Sequence, residues 1–446
     1  MACISGFGIG YAARIGAWAI WTARWLRRHR PPAKPAVTHK STPALENAPA
    51  PLPPAGAFAP FRIASYRAIW MANLASNMGT LVQSVGAAWL MTDLTASHQL
   101  VGMVQVSGTV PLMLLGMFAG AIADNFDRRL IMLCAQAGMA VATLLLAALT
   151  WFGHITPWLL LGFTFAVGTG TALNSPAWQA SVRQQVGSQY LPQAVALNSI
   201  SLNLARCVGP ALGGLVISLW NVGVAFAINS VSFLAVIFVL LRWKPLHAAP
   251  DRQPILPAVA EGLRYCLTSR PIRTILVRGL ALGFGVAGYQ ALVPSVVRGP
   301  LHGTEMQYGV LLGLFGVGSI AAAFFLSGAR RRFGLEAVVS TSILAFVVAQ
   351  TLLASAQSVA MAAPATFIAG AGWVTGLTTI NVAMQMRSPE EFMGRCLSIY
   401  QAATFGGVAI GAWVWGTLAD FTSLPFALHG ATAFLLVSLA VLRVLA

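Results

Sequence analysis

The chemistry on offer in this chain is hydrogen bonding from polar side chains set inside long apolar runs. Asn73, Asn77, Thr80 and Ser84 recur at i, i+4, i+7 and i+11, which places them in one stripe of an α-helix. Tyr289 and Gln290 lie in a later apolar run, and Thr375, Thr378 and Gln385 in another. Arg206 sits well inside a fourth run, and Arg278 about one turn into the run that carries Tyr289. A buried amide without a partner is costly, and a charge in hydrocarbon more so, so these groups must face protein, water or a ligand. Groups of this kind bind and orient a molecule; they do not break its bonds. Any one of them can equally serve as glue between helices. As a set they form the expected binding site.

The reactive constellations of enzymes are missing. There is no HExxH and no nucleophile elbow. None of the three lysines, Lys34, Lys40 and Lys244, follows a glycine, so there is no phosphate-binding P-loop. The cysteines Cys3, Cys134, Cys207, Cys266 and Cys396 show no CxxC or metal spacing, and neither disulfides nor a zinc site is expected. No cofactor is expected. The eleven Asp and Glu residues all fall outside the centres of the apolar runs, so no carboxylate is placed to carry a proton within a helix.

The elements that position these residues are membrane spans. The chain of 446 residues is 57% hydrophobic and 9% charged, with mean hydropathy +0.74, whereas a soluble domain carries about 25% charged residues. Twelve apolar runs follow one another from near Ile69 to the C-terminus, each near the roughly 20 residues that cross a bilayer as helix. Of the 27 Lys and Arg, only Arg298 falls in a connection after an odd-numbered run; Arg206 and Arg278 lie within runs, and the rest occupy the N-terminal tail, the even-numbered connections or the last turn. This asymmetry puts both termini of a polytopic membrane protein in the cytoplasm. The net charge of +16 then reads as a set of topology determinants against the anionic inner leaflet, not as a nucleic-acid surface.

The expected organisation is a basic, Pro-rich cytoplasmic tail over 1–60, six spans over 61–241, a cytoplasmic linker over 242–273 and six spans over 274–446. Residues 1–30 carry Trp18, Trp21 and Trp25 on one helical face before a cluster of arginines. They read either as an amphipathic helix on the inner leaflet or as sequence ahead of the true start. In the linker, Val259, Leu263 and Leu267 at i, i+4 and i+8 predict a surface helix. The halves echo each other: Ala205-x3-Gly209-x3-Gly213 in the fifth run matches Ala403-x3-Gly407-x3-Gly411 in the eleventh. Small residues four apart make a flat ridge for close helix packing. Ser388-Pro389-Glu390-Glu391 reads as a helix start, with serine as the cap.

After the second run comes Gly120-Ala-Ile-Ala-Asp124-Asn-Phe-Asp127-Arg128-Arg129. It resembles the loop motif of the major facilitator superfamily, G-x-L-A-D-R-x-G-R-R, in Gly120, Asp124, Arg128 and Arg129, with Asn125 and Asp127 as departures. Gly209-Pro210-x2-Gly213-Gly214 resembles an element found in many exporters of that superfamily. The run Tyr308-Gly309-x3-Gly313-x2-Gly316-x-Gly318, with Gly394-Arg395-x-Leu397-Ser398, is similar to the branch that includes siderophore and macrolide exporters. The resemblance covers about 61–446. It implies an all-α polytopic membrane protein, twelve transmembrane helices in two six-helix halves, with helices 1, 4, 7 and 10 lining a central cavity. It further implies a gating role for Gly120, Asp124, Arg128, Arg129, Gly209, Pro210 and Gly213, and export of a small amphipathic molecule by alternating access with protons as the coupling ion. An importer of the same fold and a non-transporting sensor or scaffold are the alternative readings.

Overall fold

The computed structural model describes residues 56–243, 255–389 and 392–444; the side chains of a few helical residues, Gly120 and Asp124 among them, lie outside that description. After a 3-10 turn at Ala59–Arg62, six long helices follow: α1 (Ala64–Leu94), α2 (His98–Asn125), α3 (Arg128–Trp151), α4 (Pro157–Val186), α5 (Leu191–Leu219) and α6 (Val222–Arg242). The linker contributes α7 (Ile255–Thr268), and α8 (Arg270–Arg298) follows it. The continuous helical stretch Glu305–Ala354 turns at Gly334, where φ is 78° and ψ 167°, giving α9 (305–333) and α10 (335–354). A side chain at that φ would be strained, so glycine sets the corner. The set ends with α11 (Val359–Arg387), α12 (Met393–Phe421) and α13 (Leu424–Val444). Without α7, these are the twelve expected spans.

Local sequence explains the boundaries. Ser97 caps α2, Asn221 caps α6, and Thr304 with Gln307 forms a reciprocal capping box on α9. Thr156 caps α4 just ahead of Pro157, a residue whose missing N–H costs nothing in a first turn. Asp127, which departs from the loop motif, caps α3 by accepting from the Arg129 N–H. Ser388 is extended just after α11 and its hydroxyl donates to the Met384 carbonyl; the helix start expected there, ahead of α12 at Met393, falls in part outside the description. Glu390 and Glu391 lie outside the described residues.

Among the described residues, nine helical stretches are long and apolar enough to cross a membrane, one of them being the α9–α10 pair. The exceptions among the twelve are α1 and α4. The hydrophobic budget of α1 is lowered by its polar stripe and that of α4 by Thr164, Thr169, Thr171, Asn174 and Ser175. At 31 residues, α1 is about 46 Å long, so its polar ends reach past the roughly 30 Å hydrocarbon layer.

Packing follows the small residues. The ridge on α5 meets α1: a Cβ on Gly209 would stand 2.9 Å from Leu81, and one on Gly213 would stand 3.1 Å from the Val82 backbone. The matching ridge on α12 meets α8, Gly407 lying on the Leu280 carbonyl and Gly411 on that of Phe284. The sequence echo is therefore an echo of contacts: fifth span on first, eleventh on seventh. Two further seams join the six-helix groups, α2 against α12 and α5 against α9. In the second, Gly309, Gly313 and Gly316 of α9 back onto the carbonyls of Pro210, Cys207 and Arg206. Pro210 has no N–H, so the Arg206 carbonyl loses its helical donor and is left facing the Gly316 backbone.

Candidate functional site

The polar stripe of α1 lies on the face turned away from both helices that pack against α1. The α5 side is held by Leu81, Val82 and Val85, and the α6 side by Gly79 and Gly86. Asn73, Asn77 and Thr80 are half-buried and Ser84 is exposed. Thr80 and Ser84 donate only to carbonyls of their own helix, those of Ser76 and Leu81. These are groups held in place with capacity to spare.

Arg206 projects from α5 between the faces that meet α1 and α9, opposite the apolar face of Leu204, Val208, Leu212 and Leu215. Its side chain is accessible, and no hydrogen bond or ion pair from the described residues reaches it. On α8, Gln290 is the single residue between 285 and 297 that is not buried. On α11, Thr375 and Thr378 are half-buried and Gln385 is exposed, its amide bonded to Asn381.

Three residues of this set are engaged within the protein. Tyr289 is 1% exposed and packs between Phe315 and Phe346, inside the second six-helix group and not on an open surface. Thr378 is already engaged: Arg330 of α9 donates to its hydroxyl at 2.6 Å and to that of Thr379 at 3.0 Å. Arg278 pairs with Glu336 at the start of α10. Sequence reading also missed a buried polar knot. The Gln83 carbonyl oxygen accepts from Asn229 at 2.5 Å and from Thr143 at 3.3 Å, tying α1 to α6 and α3. Gln83 sits one residue from the stripe, and its type alone carried the signal.

Both arginines of the loop motif are engaged with neighbouring helices. Arg129 donates to the Leu240 and Leu241 carbonyls at 2.8 and 2.7 Å, neutralising the C-terminus of α6. Arg128 donates to Ala123 and to Ala180 of α4. The side chain of Asp124 lies outside the description.

At the face of the odd-numbered connections, called outer here after the arginine asymmetry, the six-helix groups are sealed together. Asp420, ending α12, caps α2 from across the seam: it accepts from Ser97 Oγ at 2.6 Å, the His98 N–H at 2.5 Å and the Gln99 N–H at 3.1 Å. Arg298 pairs with Asp93 at 2.7 Å and lies over the Trp89 ring. Trp89 stacks on Tyr308 and donates to Glu305 at 3.1 Å. The glycine contacts of both seams run from this face to about mid-helix, Gly416 on Gln99 and Gly102 on Ala412 in one, Gly214 on Glu305 in the other. By contrast, α4 and α11 make no extended contact among the described residues. The two six-helix groups are thus sealed together at this face, and α4 and α11 do not add a second seal.

A family model described as transmembrane secretion effector matches residues 55–446. The staphyloferrin A transporter of Staphylococcus aureus is 24% identical, over 77% of this chain and 86% of its own length. The multidrug efflux pump Tap of Mycolicibacterium fortuitum is 25% identical, over 82% of this chain and 94% of its own. Among solved structures, the nucleoside transporter NupG superimposes with TM-score 0.69 at 11% identity, covering 85% of this chain and 98% of that one. A bacterial homologue of the iron transporter ferroportin, in an inward-facing state, gives 0.64 at 16%, covering 85% and 98%. With the twelve spans, the paired ridges and the loop motif in place, the chain belongs to the transmembrane secretion effector family of major facilitator transporters and is a membrane carrier, not an enzyme.

Proposed function

We propose that this carrier exports a small amphipathic molecule with an anionic or acceptor-rich face, by alternating access across the inner membrane with its termini in the cytoplasm. Arg206 is the observation that carries the reading. A guanidinium within a span is costly unless matched, and no described protein group matches this one. It lies beside the α1 stripe of Asn73, Asn77, Thr80 and Ser84, with Gln290, Thr375 and Gln385 contributed from the other six-helix group. A molecule bearing carboxylates or catecholate-like oxygens would supply the missing acceptors, and the apolar walls would take its remainder.

Coupling to protons fits this reading only through the helix ends. The carboxylates described along the route are Asp93, Glu305 and Asp420, all in the outer seal. A proton taken there would weaken bonds that hold the carrier closed. Export is favoured over import by kinship with an efflux pump.

The test uses purified protein in liposomes, with initial rates for carboxyfluorescein as the anionic probe and ethidium as the cationic one. Arg206→Lys keeps the charge but loses the planar fork, and Arg206→Gln loses both. Carboxyfluorescein flux should fall less for Lys than for Gln, while ethidium flux changes little. Equal losses for both probes would sink the charge-recognition reading, and flux only toward the side bearing the linker would make the protein an importer.

A further inference from the structure

The linker helix α7 is fastened to the start of α12 by contacts that transport chemistry does not require. The Tyr265 and Phe392 rings stack with centroids 4.8 Å apart and planes 6° from parallel. Glu261 pairs with Arg395 at 2.9 Å. Gly262 lies against the Arg395 stem so closely that a Cβ there would stand 2.8 Å from it. Between these fixings, the sulfurs of Cys266 and Cys396 are 3.6 Å apart, both thiols free and both residues 0% exposed. They stand 130 residues apart in sequence and are brought into contact by the docking alone. The apolar stripe that predicted α7 is not the docked face: Leu263 and Leu267 are 40% and 55% exposed, and Gly262 and Cys266 point inward instead. The helix also touches α2, so it bridges the two six-helix groups.

We propose that Cys266 and Cys396 are a reversible redox pair, whose disulfide fixes the linker helix to α12. The oxidant class is a low-molecular-weight disulfide. One cysteine thiolate attacks it, forming a mixed disulfide and releasing the first small thiolate. The second cysteine then attacks the bonded cysteine sulfur, closing the Cys266–Cys396 bond and releasing the second small thiolate. The two cysteine protons leave with the two small thiols, and the two electrons lost by the cysteines reduce the oxidant. In the docked state burial pushes the Cys266 thiol up to about 12, so little thiolate forms until α7 lifts away. In a reducing cytoplasm the pair stays open, and oxidative stress closes it.

The experiment treats the full-length protein, purified in detergent, with glutathione disulfide. The expected product has lost two of its five thiols to one internal bond. Its mass is lower by about 2 Da, and digestion without reductant yields the peptides of Cys266 and Cys396 joined. Amide hydrogen exchange across 255–268 slows about tenfold in the oxidised protein, because undocking is blocked, and dithiothreitol restores it. Separate glutathione adducts on Cys266 and Cys396, no reaction at either, or a joined pair with unchanged exchange would each overturn the proposal. None of these readouts depends on the transported molecule.

Discussion

Replacing Asp420 with alanine should tip the carrier toward its outward-open state. The carboxylate belongs to α12, yet its three acceptor contacts are to the first turn of α2. Those contacts exist only while the outer seam is shut. A helix cap removed to alanine costs about 0.5–2 kcal/mol, and a bond to a charged acceptor about 1.5–3 kcal/mol. Asp420 is exposed, so solvent screening brings three such bonds down to about 2 kcal/mol in total. Because the loss falls on one state alone, the open-to-closed ratio should rise roughly thirtyfold. Spin labels at Phe152 and Phe426, exposed residues near the outer ends of α3 and α13, would report that ratio as two distance populations. Asn in place of Asp420 retains one neutral acceptor and should give a smaller shift. A ratio changed by less than about threefold, in protein that melts normally, would show that the cap is incidental to the seal.

Gly309→Ala should have a comparable effect from the other seam. Its Cβ would stand 2.6 Å from the Pro210 carbonyl, an overpacking cost of about 1–3 kcal/mol, and the same label pair should shift toward opening while a control Gly328→Ala, with open space around it, does not. Gln83→Leu leaves Asn229 and Thr143 without their shared acceptor, a loss of about 1–3 kcal/mol that should appear as a lower melting temperature in detergent, with the ratio of carboxyfluorescein to ethidium flux unchanged. Reporter fusions after Thr95 and after Arg332 should read outside and cytoplasmic respectively; the reverse would invert every statement about which face is sealed.

The spans were legible because a bilayer demands continuous apolar length, and the glycine ridges because small residues four apart have one use on a helix surface. Which face an apolar stripe turns to was not legible. In water, apolar means inward; at a membrane, lipid and protein core accept the same side chains. Leu263 and Leu267 therefore announced a helix without telling which side of it docks. Tyr289 looked like a cavity residue because its hydroxyl is polar, yet its ring is packed among Phe315 and Phe346. Polar types set in apolar surroundings mark residues that stay accessible: Ser84 and Arg206 are exposed, and Asn73, Asn77 and Thr80 half-buried. Arg278 and Arg330 show the remaining difficulty, since their partners, Glu336 and Thr378 with Thr379, are brought near by the fold across 58 and 48 residues of sequence.

The glycine-lined seams divide this protein into parts with different evolutionary freedom. Where Gly309, Gly313 and Gly316 lie on the α5 backbone, and Gly102 and Gly416 on their partners across the other seam, no side chain interlocks, so the surfaces can roll without rotamers having to unmesh. The same smoothness leaves almost no room for mutation, because the smallest addition meets a carbonyl. The stripe on α1 and Thr375 of α11 carry no such restriction. With the proposed binding surface on those residues, lineages built on this plan would alter what they carry one residue at a time while the glycine seams stay fixed, and a new specificity would need no new mechanism of motion.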